Sequence, residues 1–376
     1  MKISDFKAGK RVQRLKYKSF EPNLVDLPWL VDDPELLMLL SQANIKLGEL
    51  NAFSQLIPDV DYFIKMYVLK EGTKSSKIEG TRTNIDDALQ KVEYIHPERM
   101  DDWLEVQNYV QAMNQAIDSL SRLPLCNRLL KQTHKTLLKG VRGKHKLPGE
   151  FRQSQNWIGG SSLSDAIFIP PHPQSVNDLM ADLEKFLHNE NTLVPSLIKI
   201  GIAHYQFETI HPFLDGNGRI GRLLITLFLV SHQLLTKPTL YLSDFFEKNK
   251  TSYYDNLNRV RSHNDMLQWL KFFLVGIKST SEKSIGTFKN IIALRNNLEN
   301  KIITLGKKQR LANSFLKYLY GKPITDGAEV ALTLGINIST AFRLIDDFIK
   351  LDILQEVTGY KRNRIFAFDD YIMLFR

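Results

Sequence analysis

HPFLDGNGRIGR, residues 211–222, places three glycines, a histidine, an aspartate, an asparagine and two arginines between two apolar segments. The segment that follows, residues 220–235, reads IGRLLITLFLVSHQLL and is almost wholly apolar. A helix that is apolar on all sides is usually buried, so this segment predicts a central helix of the core. The polar stretch therefore predicts a loop that feeds directly into that helix.

The start of the predicted helix favours an anion site. A helix N-terminus carries unpaired N–H groups and the positive end of the helix dipole, and glycines let backbone amides approach an anion closely. The run Gly216-Asn217-Gly218 therefore predicts a phosphate cradle. Arg219 and Arg222, three residues apart, add two guanidinium groups near one face of the first turn.

Asp215 and His211 supply the remaining groups for transfer from a nucleoside triphosphate. Asp215 is placed to hold Mg²⁺ beside the phosphates, and His211 titrates near neutral pH and can accept a proton from an attacking hydroxyl. A base, a metal ligand, an anion hole and counter-charges are the parts that this chemistry requires. A bare Gly-Asn-Gly would indicate only a turn, so the prediction rests on the whole string.

The pattern HPFxDGNGRxxR resembles the motif of the Fic-domain family, whose members transfer AMP from ATP to protein hydroxyls. The resemblance covers nearly the whole chain. The leader FKAGKRVQ…FEPNLVDLPWL is similar to that of multi-domain bacterial Fic proteins, and LPGEFR and FIPPHP flank a hairpin, about residues 156–169, that resembles the family's target-docking flap. The implied fold is mainly α, a Fic helical core with a β-hairpin flap and a C-terminal winged helix-turn-helix.

The resemblance also implies roles for the motif residues, with ATP as substrate and Mg²⁺ as cofactor. His211 would be the general base, Asp215 would bind Mg²⁺ on the α- and β-phosphates, and Arg222 would contact the γ-phosphate. The remaining nucleotide contacts are implied for Gly216, Asn217, Gly218, Arg219, Ile220 and Gly221. Glycine at position 216 favours nucleotidyl transfer, because a related branch that acts as a kinase carries lysine there.

A second stretch, SSKIEG at residues 75–80, puts Ser75 and Glu79 on one face of a helical turn and Gly80 where a helix stops. Taken alone, it indicates a solvated helix end. It also resembles the inhibitory motif [S/T]-x-x-x-E-[G/N] of Fic proteins, in which the glutamate pairs with the second arginine of the active site. The resemblance thus implies auto-inhibition through Glu79 and Arg222. In some relatives this glutamate orients water to remove AMP, which leaves a dual activity open.

Tyr254 and Asn258 share a helix face and are candidates for the adenine pocket, with the buried face of a core helix as the alternative.

The single cysteine, Cys126, indicates a packed thiol in a reducing compartment. No apolar run approaches the roughly 18 residues that a membrane span requires, so we expect a cytoplasmic protein. Four further histidines lack metal-ligand spacing and are predicted to be structural, namely His134, His204, His232 and His263.

Three regions are predicted: 1–100 with the inhibitory turn, 101–300 as the catalytic core, and 301–376, where three helices and a β-hairpin indicate a winged helix. The net charge of +9 is compatible with acidic partners. The winged helix has a net negative recognition helix at 339–354 but a basic wing with Lys361, Arg362 and Arg364. Packing, dimerisation or target recruitment is therefore favoured over DNA binding.

Two alternatives to AMP transfer remain open at this point. One is a DNA-binding regulator whose Fic domain senses nucleotide, and the other is an enzyme that transfers a different group, such as UMP. A homodimer is implied by the resemblance, because dimers are common in the family.

Overall fold

Helices form most of the chain, as the sequence predicted. The structure, a computed structural model, describes residues 1–57, 59–360 and 362–376, so Lys361 of the predicted wing lies outside the described residues. The helices in the described part are α1 Pro34–Leu56, α2 Val60–Ile78, α3 Ile85–Leu89, α4 Met100–Ser119, α5 Asn127–Leu137, α6 Val176–His188, α7 Ser196–Ile210, α8 Asn217–Ser231, α9 Ser243–Lys248, α10 Lys250–His263, α11 Met266–Ile303, α12 Gln309–Gly321, α13 Gly327–Leu334, α14 Ile338–Lys350 and α15 Asp369–Met373. The strands are β1 Gly9–Gln13, β2 Lys18–Pro22, β3 Ile324–Asp326, β4 Gln355–Glu356 and β5 Ile365–Ala367.

Two helices buried along nearly their whole length, α7 and α8, form the centre of the core and pack against each other. The loop 211–216 joins them, so the polar stretch is a turn between two core helices. The 38-residue helix α11 packs against α1, α7 and α12 and so links the N-terminal, central and C-terminal parts of the chain. The apolar sequence of α8 therefore does what its composition predicts, and fixes the loop at its N-terminus.

The turn at residues 75–80, which is expected to be inhibitory, lies at the end of a longer helix than the sequence predicted. The segment DVDYFIKMYVLKEG predicts a helix that stops at Gly72, and SSKIEG predicts a separate short one, but α2 runs without a break to Ile78. A Cβ on Gly72 would lie 3.2 Å from the Tyr109 ring of α4, so this glycine permits close helix packing and does not end the helix. The helix ends before Gly80, whose φ of +104° suits glycine.

Basic residues followed by Pro22, Pro28 and Pro34 predict an extended, irregular stretch over residues 1–34, but this stretch contains a β-hairpin. β1 and β2 pair antiparallel, from Gly9 opposite Pro22 to Gln13 opposite Lys18. The predicted hairpin at 156–169 closes through a single antiparallel bridge between Ile158 and Phe168, without regular strands.

The C-terminal part has the predicted order of three helices, α12 to α14, and then the hairpin β4–β5. The structure adds β3, which pairs with β5 in a three-stranded antiparallel sheet of order β3-β5-β4, and the short helix α15. The predicted boundary at residue 300 falls inside the last turn of α11. No single helix in the described ranges is long and apolar enough to cross a membrane, and one bent pair, α13 with α14, meets that test by length and composition alone.

The packing of α8 predicts a position-dependent loss of stability. Leu224 of α8 is fully buried, and Leu224→Ala should lower the free energy of unfolding by about 2–5 kcal/mol, because it leaves a cavity in the core. Leu332→Ala is the matched control, since that side chain is 84% exposed and its loss should change stability by less than about 0.5 kcal/mol. Urea titration followed by circular dichroism measures both; equal losses would contradict the central position of α8.

Candidate functional site

The backbone conformation and the side-chain amide of Asn217 fix the loop between α7 and α8. His211 caps α7 in the left-handed region, with φ 51° and ψ 60°, and Gly216 precedes α8 with φ 74°. The buried Asn217 accepts a hydrogen bond from the Phe213 N–H and donates one to the Phe213 carbonyl, both at 2.8 Å. The asparagine predicted to bind nucleotide therefore also holds the loop in shape.

His134 of α5 contacts the loop through a hydrogen bond and a stacked ring. Its Nδ1 accepts a hydrogen bond from the Gly149 N–H at 2.8 Å, so its Nε2 is the donor to the Asp215 carbonyl at 2.9 Å. The ring stacks on Phe213 with centroids 3.8 Å apart, and burial lowers the pKa of His134 to about 4. The neutral imidazole is thus a positioning group for the motif loop.

The His211 side chain is a neutral imidazole with a free nitrogen. Its Nδ1 is buried and makes no hydrogen bond to any described residue. Burial lowers the pKa of His211 to about 3, and the nearby positive charges of Arg261 and Arg152 act in the same direction. At physiological pH this histidine is therefore neutral, but its pKa lies well below the near-neutral value expected from the sequence, so the imidazole is a weak base in this environment.

Arg152 connects the His211 region to the segment around the flap. Its guanidinium donates hydrogen bonds to the carbonyls of His211 at 2.9 Å, Pro171 at 2.6 Å, Ile210 at 3.3 Å and Ser154 at 3.3 Å. Burial lowers the pKa of Arg152 to about 10, which still leaves it charged at neutral pH. Arg152 is the last residue of the stretch LPGEFR. The sequence did not predict a role for it, because its neighbours in the sequence do not show that it is buried.

The structure brings the two ends of the expected switch together. Arg222 of α8 is 2% exposed; its Nη2 lies 2.6 Å from Glu79 Oε1 and donates to the Ser75 carbonyl at 3.0 Å, and its Nε donates to Ser75 Oγ at 2.9 Å. The Glu79 side chain is 36% exposed. Burial would raise the pKa of Glu79, but the charge of Arg222 outweighs it and holds this pKa below its usual range.

Gly218 permits this contact. A Cβ at position 218 would collide with the Glu79 carboxylate and approach Arg222 Nη1 to 2.9 Å. The glycine that is expected to form the anion hole is thus also the residue over which Glu79 reaches Arg222.

Arg219 and Asp215 lie at the other side of the loop. Arg219 is 4% exposed and contacts Glu105 Oε2 at 3.2 Å and Asp215 Oδ1 at 3.6 Å. Asp215 Oδ1 accepts a hydrogen bond from the Gly216 N–H at 2.6 Å, and the carboxylate is 42% exposed. A single accessible carboxylate fits Mg²⁺, which takes one or two carboxylates together with substrate phosphates. No cluster of three or more His, Cys, Asp or Glu ligands occurs among the described residues.

The face of α10 that carries the two adenine-pocket candidates lies near the site. Burial raises the pKa of Tyr254, and the negative charge of Glu79 adds to the rise. Asn258 accepts a hydrogen bond from Arg261 Nη1 at 3.1 Å instead of facing open space. Arg261 lies three residues after Asn258, on the same face of α10. This spacing could have identified Arg261 from the sequence as a residue of the site.

Arg261 and Glu208 are two residues at the site that the sequence analysis missed. Arg261 stacks on Phe168 of the flap at 3.9 Å and donates to the Glu208 carbonyl at 3.1 Å. The Glu208 carboxyl is buried, and its Oε1 has no hydrogen-bond partner among the described residues. Burial raises the pKa of Glu208 to about 7; Arg222 and Arg261 oppose the rise, and Glu79 adds to it.

The raised pKa of Glu208 predicts a pH-dependent stability. The folded state holds this proton more tightly than the unfolded state, so the contribution of Glu208 is full below about pH 4.5 and is lost as pH rises through about 7. Glu208→Gln removes the titration. The melting temperature of the wild type should therefore fall relative to Glu208→Gln between pH 5 and pH 8, while Glu190→Gln, an exposed control, should follow the wild type. Parallel curves for all three proteins would show that Glu208 is ionised in the fold.

Comparison with known proteins gives two family matches. Residues 37–118 match the model described as Fic/DOC family N-terminal, and residues 124–229 match the model described as Fic/DOC family. Together these ranges hold half of the chain, including the inhibitory turn, the loop 211–216 and most of α8.

Curated relatives and solved structures agree with these matches. A probable protein adenylyltransferase, aq_aa38 of Aquifex aeolicus, is 29% identical over 170 residues, which are 45% of this chain and 50% of the relative. Protein adenylyltransferase fic-1 of Caenorhabditis briggsae is 26% identical over 183 residues, 46% of this chain and 33% of the relative. The chain thus spans a third to a half of these relatives. The crystal structure of a Fic family protein from Desulfovibrio desulfuricans G20 has the same fold, with a TM-score of 0.56 at 20% identity over 91% of this chain and 97% of that one.

Proposed function

We propose a function on one premise, supplied by the two family matches: the chain belongs to the Fic/DOC family. We infer that it is a protein adenylyltransferase, which transfers AMP from ATP to Ser, Thr or Tyr hydroxyls of proteins, including its own. The observation that carries this inference is the neutral His211 imidazole, which belongs to the loop that leads into the glycine-rich N-terminus of α8 and whose Nδ1 has no hydrogen-bond partner among the described residues.

The proposed reaction uses groups that the loop already holds in place. His211 accepts the proton of the target hydroxyl, the hydroxyl oxygen attacks the α-phosphorus of ATP, and pyrophosphate leaves. The first amides of α8, at Asn217 and Gly218, are not used within the helix and face the phosphates. Asp215 would hold Mg²⁺, which when bound neutralises phosphate charge.

The Glu79–Arg222 pair supports a proposal of auto-inhibition. The γ-phosphate and the Glu79 carboxylate would use the same guanidinium, which is buried and whose Nε and Nη2 already donate to Ser75 and Glu79. The carboxylate also lies against Gly218, where the triphosphate would pass, so its charge would repel the phosphates. ATP would then bind weakly or in an unproductive position until α2 withdraws Glu79.

Removing Glu79 should activate the enzyme. A hydrogen bond between charged groups contributes about 1.5–3 kcal/mol, so Glu79→Gly should raise the rate of AMP transfer by roughly 10- to 100-fold. Mass spectrometry of the protein after incubation with ATP and Mg²⁺ measures the added AMP and the modified side chain. Glu190→Gly, which removes an exposed loop carboxylate, should match the wild type. A Glu79→Gly protein no more active than the wild type would contradict the auto-inhibition.

Removing the base should stop the chemistry without removing the substrate. In the Glu79→Gly background, His211→Ala should abolish labelling by ATP, while ATP binding measured by calorimetry persists, because the α8 amides and Arg222 remain. Labelling that survives this change would rule out His211 as the base.

The alternative of a DNA-binding regulator is less well supported by the C-terminal part. We propose that residues 301–376 form a winged helix that serves packing, dimerisation or target recruitment, beside the regions 1–100 and 101–300. The start of α14, which a winged helix would present to DNA, exposes Ile338 at 47% and Phe342 at 38%. Apolar side chains make poor contacts to phosphates. A gel shift with genomic fragments at physiological salt, beside the labelling assay, separates the two functions.

A further inference from the structure

A strongly basic β-hairpin lies beside the flap. Residues 6–20, FKAGKRVQRLKYKSF, contain six Lys or Arg residues and no Asp or Glu, whereas the whole chain of 376 residues has a net charge of +9. β1 and β2 form this hairpin, which we call the basic arm. A charge of +6 is thus concentrated in 15 residues.

Most of this charge is not neutralised by the protein. Arg14 forms an ion pair with Glu21 at 2.7 Å. The other cations of the basic arm are exposed and form no ion pair with any described residue, namely Lys7, Lys10, Arg11, Lys16 and Lys18. Like charges this close repel one another, so a bound anion would relieve repulsion that the protein leaves uncompensated.

The basic arm is joined to both ends of the flap. The Phe20 N–H donates to the Ile169 carbonyl at 2.9 Å, and the two rings of Phe20 and Phe168 lie 5.8 Å apart. The Tyr17 hydroxyl donates to Gln155 Oε1 at 3.3 Å, just before the flap begins. A polypeptide that docks on the flap therefore meets the basic arm next.

The basic arm also offers backbone for pairing. Within residues 1–57, 59–360 and 362–376 its sheet contains β1 and β2 alone, so β1 has a free edge, and Leu15 at the turn is fully exposed. Charged residues on such an edge prevent it from pairing with other strand edges. Here the charge has one sign, so a basic or neutral strand is disfavoured and an acidic one is favoured. Backbone pairing supplies affinity and the side-chain charges supply the selection.

We propose that the basic arm binds an acidic segment of the target polypeptide, next to the hydroxyl that receives AMP. This rests on the proposed function and on the resemblance of residues 156–169 to the family's target-docking flap, on which the target would lie. Phosphates of a nucleic acid would also fit the charge. The two junctions with the flap favour an acidic segment of the same polypeptide that docks there.

The test uses the full chain with Glu79→Gly and three synthetic peptides. The peptides share one Tyr acceptor and differ in flanking residues, which are Glu, Gln or Lys. The arm variant carries Lys10→Gln, Lys16→Gln and Lys18→Gln. The matched control carries Lys289→Gln, Lys307→Gln and Lys350→Gln, three exposed lysines outside the basic arm. AMP transfer is measured as kcat/KM, and binding is measured separately by fluorescence anisotropy.

The Glu-flanked peptide should have a kcat/KM roughly tenfold above that of the Gln-flanked peptide, because three exposed charge pairs each make a small favourable contribution. The arm variant should lose this preference and keep its rate on the Gln-flanked peptide; the control should behave as the parent. The preference should also vanish near 1 M salt, where screening is strong.

Equal rates on the Glu- and Gln-flanked peptides, or a preference that survives in the arm variant, would overturn the proposal while leaving AMP transfer intact. Binding of the Glu-flanked peptide that depends on the basic arm, without labelling of any peptide or protein, would support the docking surface and refute the proposed function. A third outcome concerns duplex DNA. If it binds the parent protein more tightly than any peptide does, displaces the Glu-flanked peptide, and binds the arm variant more weakly than the parent, the basic arm is a nucleic-acid site and the proposal is wrong.

Discussion

A buried guanidinium is the constraint on which the rest of this site depends. Arg222, a residue of α8, lies inside the core, and it retains its charge at any physiological pH. A buried charge is strongly unfavourable unless an opposite charge and hydrogen bonds accompany it. The fold must therefore bring an anion to Arg222, and the last turn of α2 does so with Glu79. In our account a triphosphate is the other anion that satisfies the same requirement, so the chain has two competing ways to neutralise one cation.

A similar logic explains the environment of His211. Arg152 is buried and Arg261 is half-buried near the imidazole, and each uses its guanidinium to hold backbone carbonyls of the α7 end and its surroundings. These cations fix the loop and at the same time disfavour a proton on His211. A triphosphate at the start of α8 would offset that positive field and make the imidazole a stronger base. The proposed active site would thus gain its basicity from the substrate that it is meant to use.

The sequence predicted the parts of the fold whose cause is local. The apolar run 220–235 correctly indicated α8, and the spacing of Ser75 and Glu79 placed both residues on the face that the structure turns toward Arg222. Gly72 was misread, because close packing against Tyr109 cannot be distinguished from a helix stop without the partner helix. The N-terminal hairpin was missed because a third of residues 6–20 are exposed cations with no alternating pattern.

The parts of the site that could not be predicted depend on contacts between distant segments. Arg152 and Glu208 have polar side chains in positions that only tertiary packing buries, and the hydrogen bonds of Arg152 reach carbonyls about 20 and 60 residues away along the chain. Arg261 could have been found, because it shares a helix face with Tyr254 and Asn258. Motif residues are visible in a sequence since their spacing is local, whereas the residues that position them are not.

The most direct test of this account compares the affinities of ATP and ADP by calorimetry in the presence of Mg²⁺. If Glu79 occupies Arg222, the γ-phosphate gains no cation, and the wild type should bind ATP no more tightly than ADP. Glu79→Gln should then prefer ATP by about tenfold or more, and adding Arg222→Ala should abolish that preference. A wild type that already prefers ATP tenfold, with no change in Glu79→Gln, would contradict the competition between Glu79 and the γ-phosphate for one buried guanidinium.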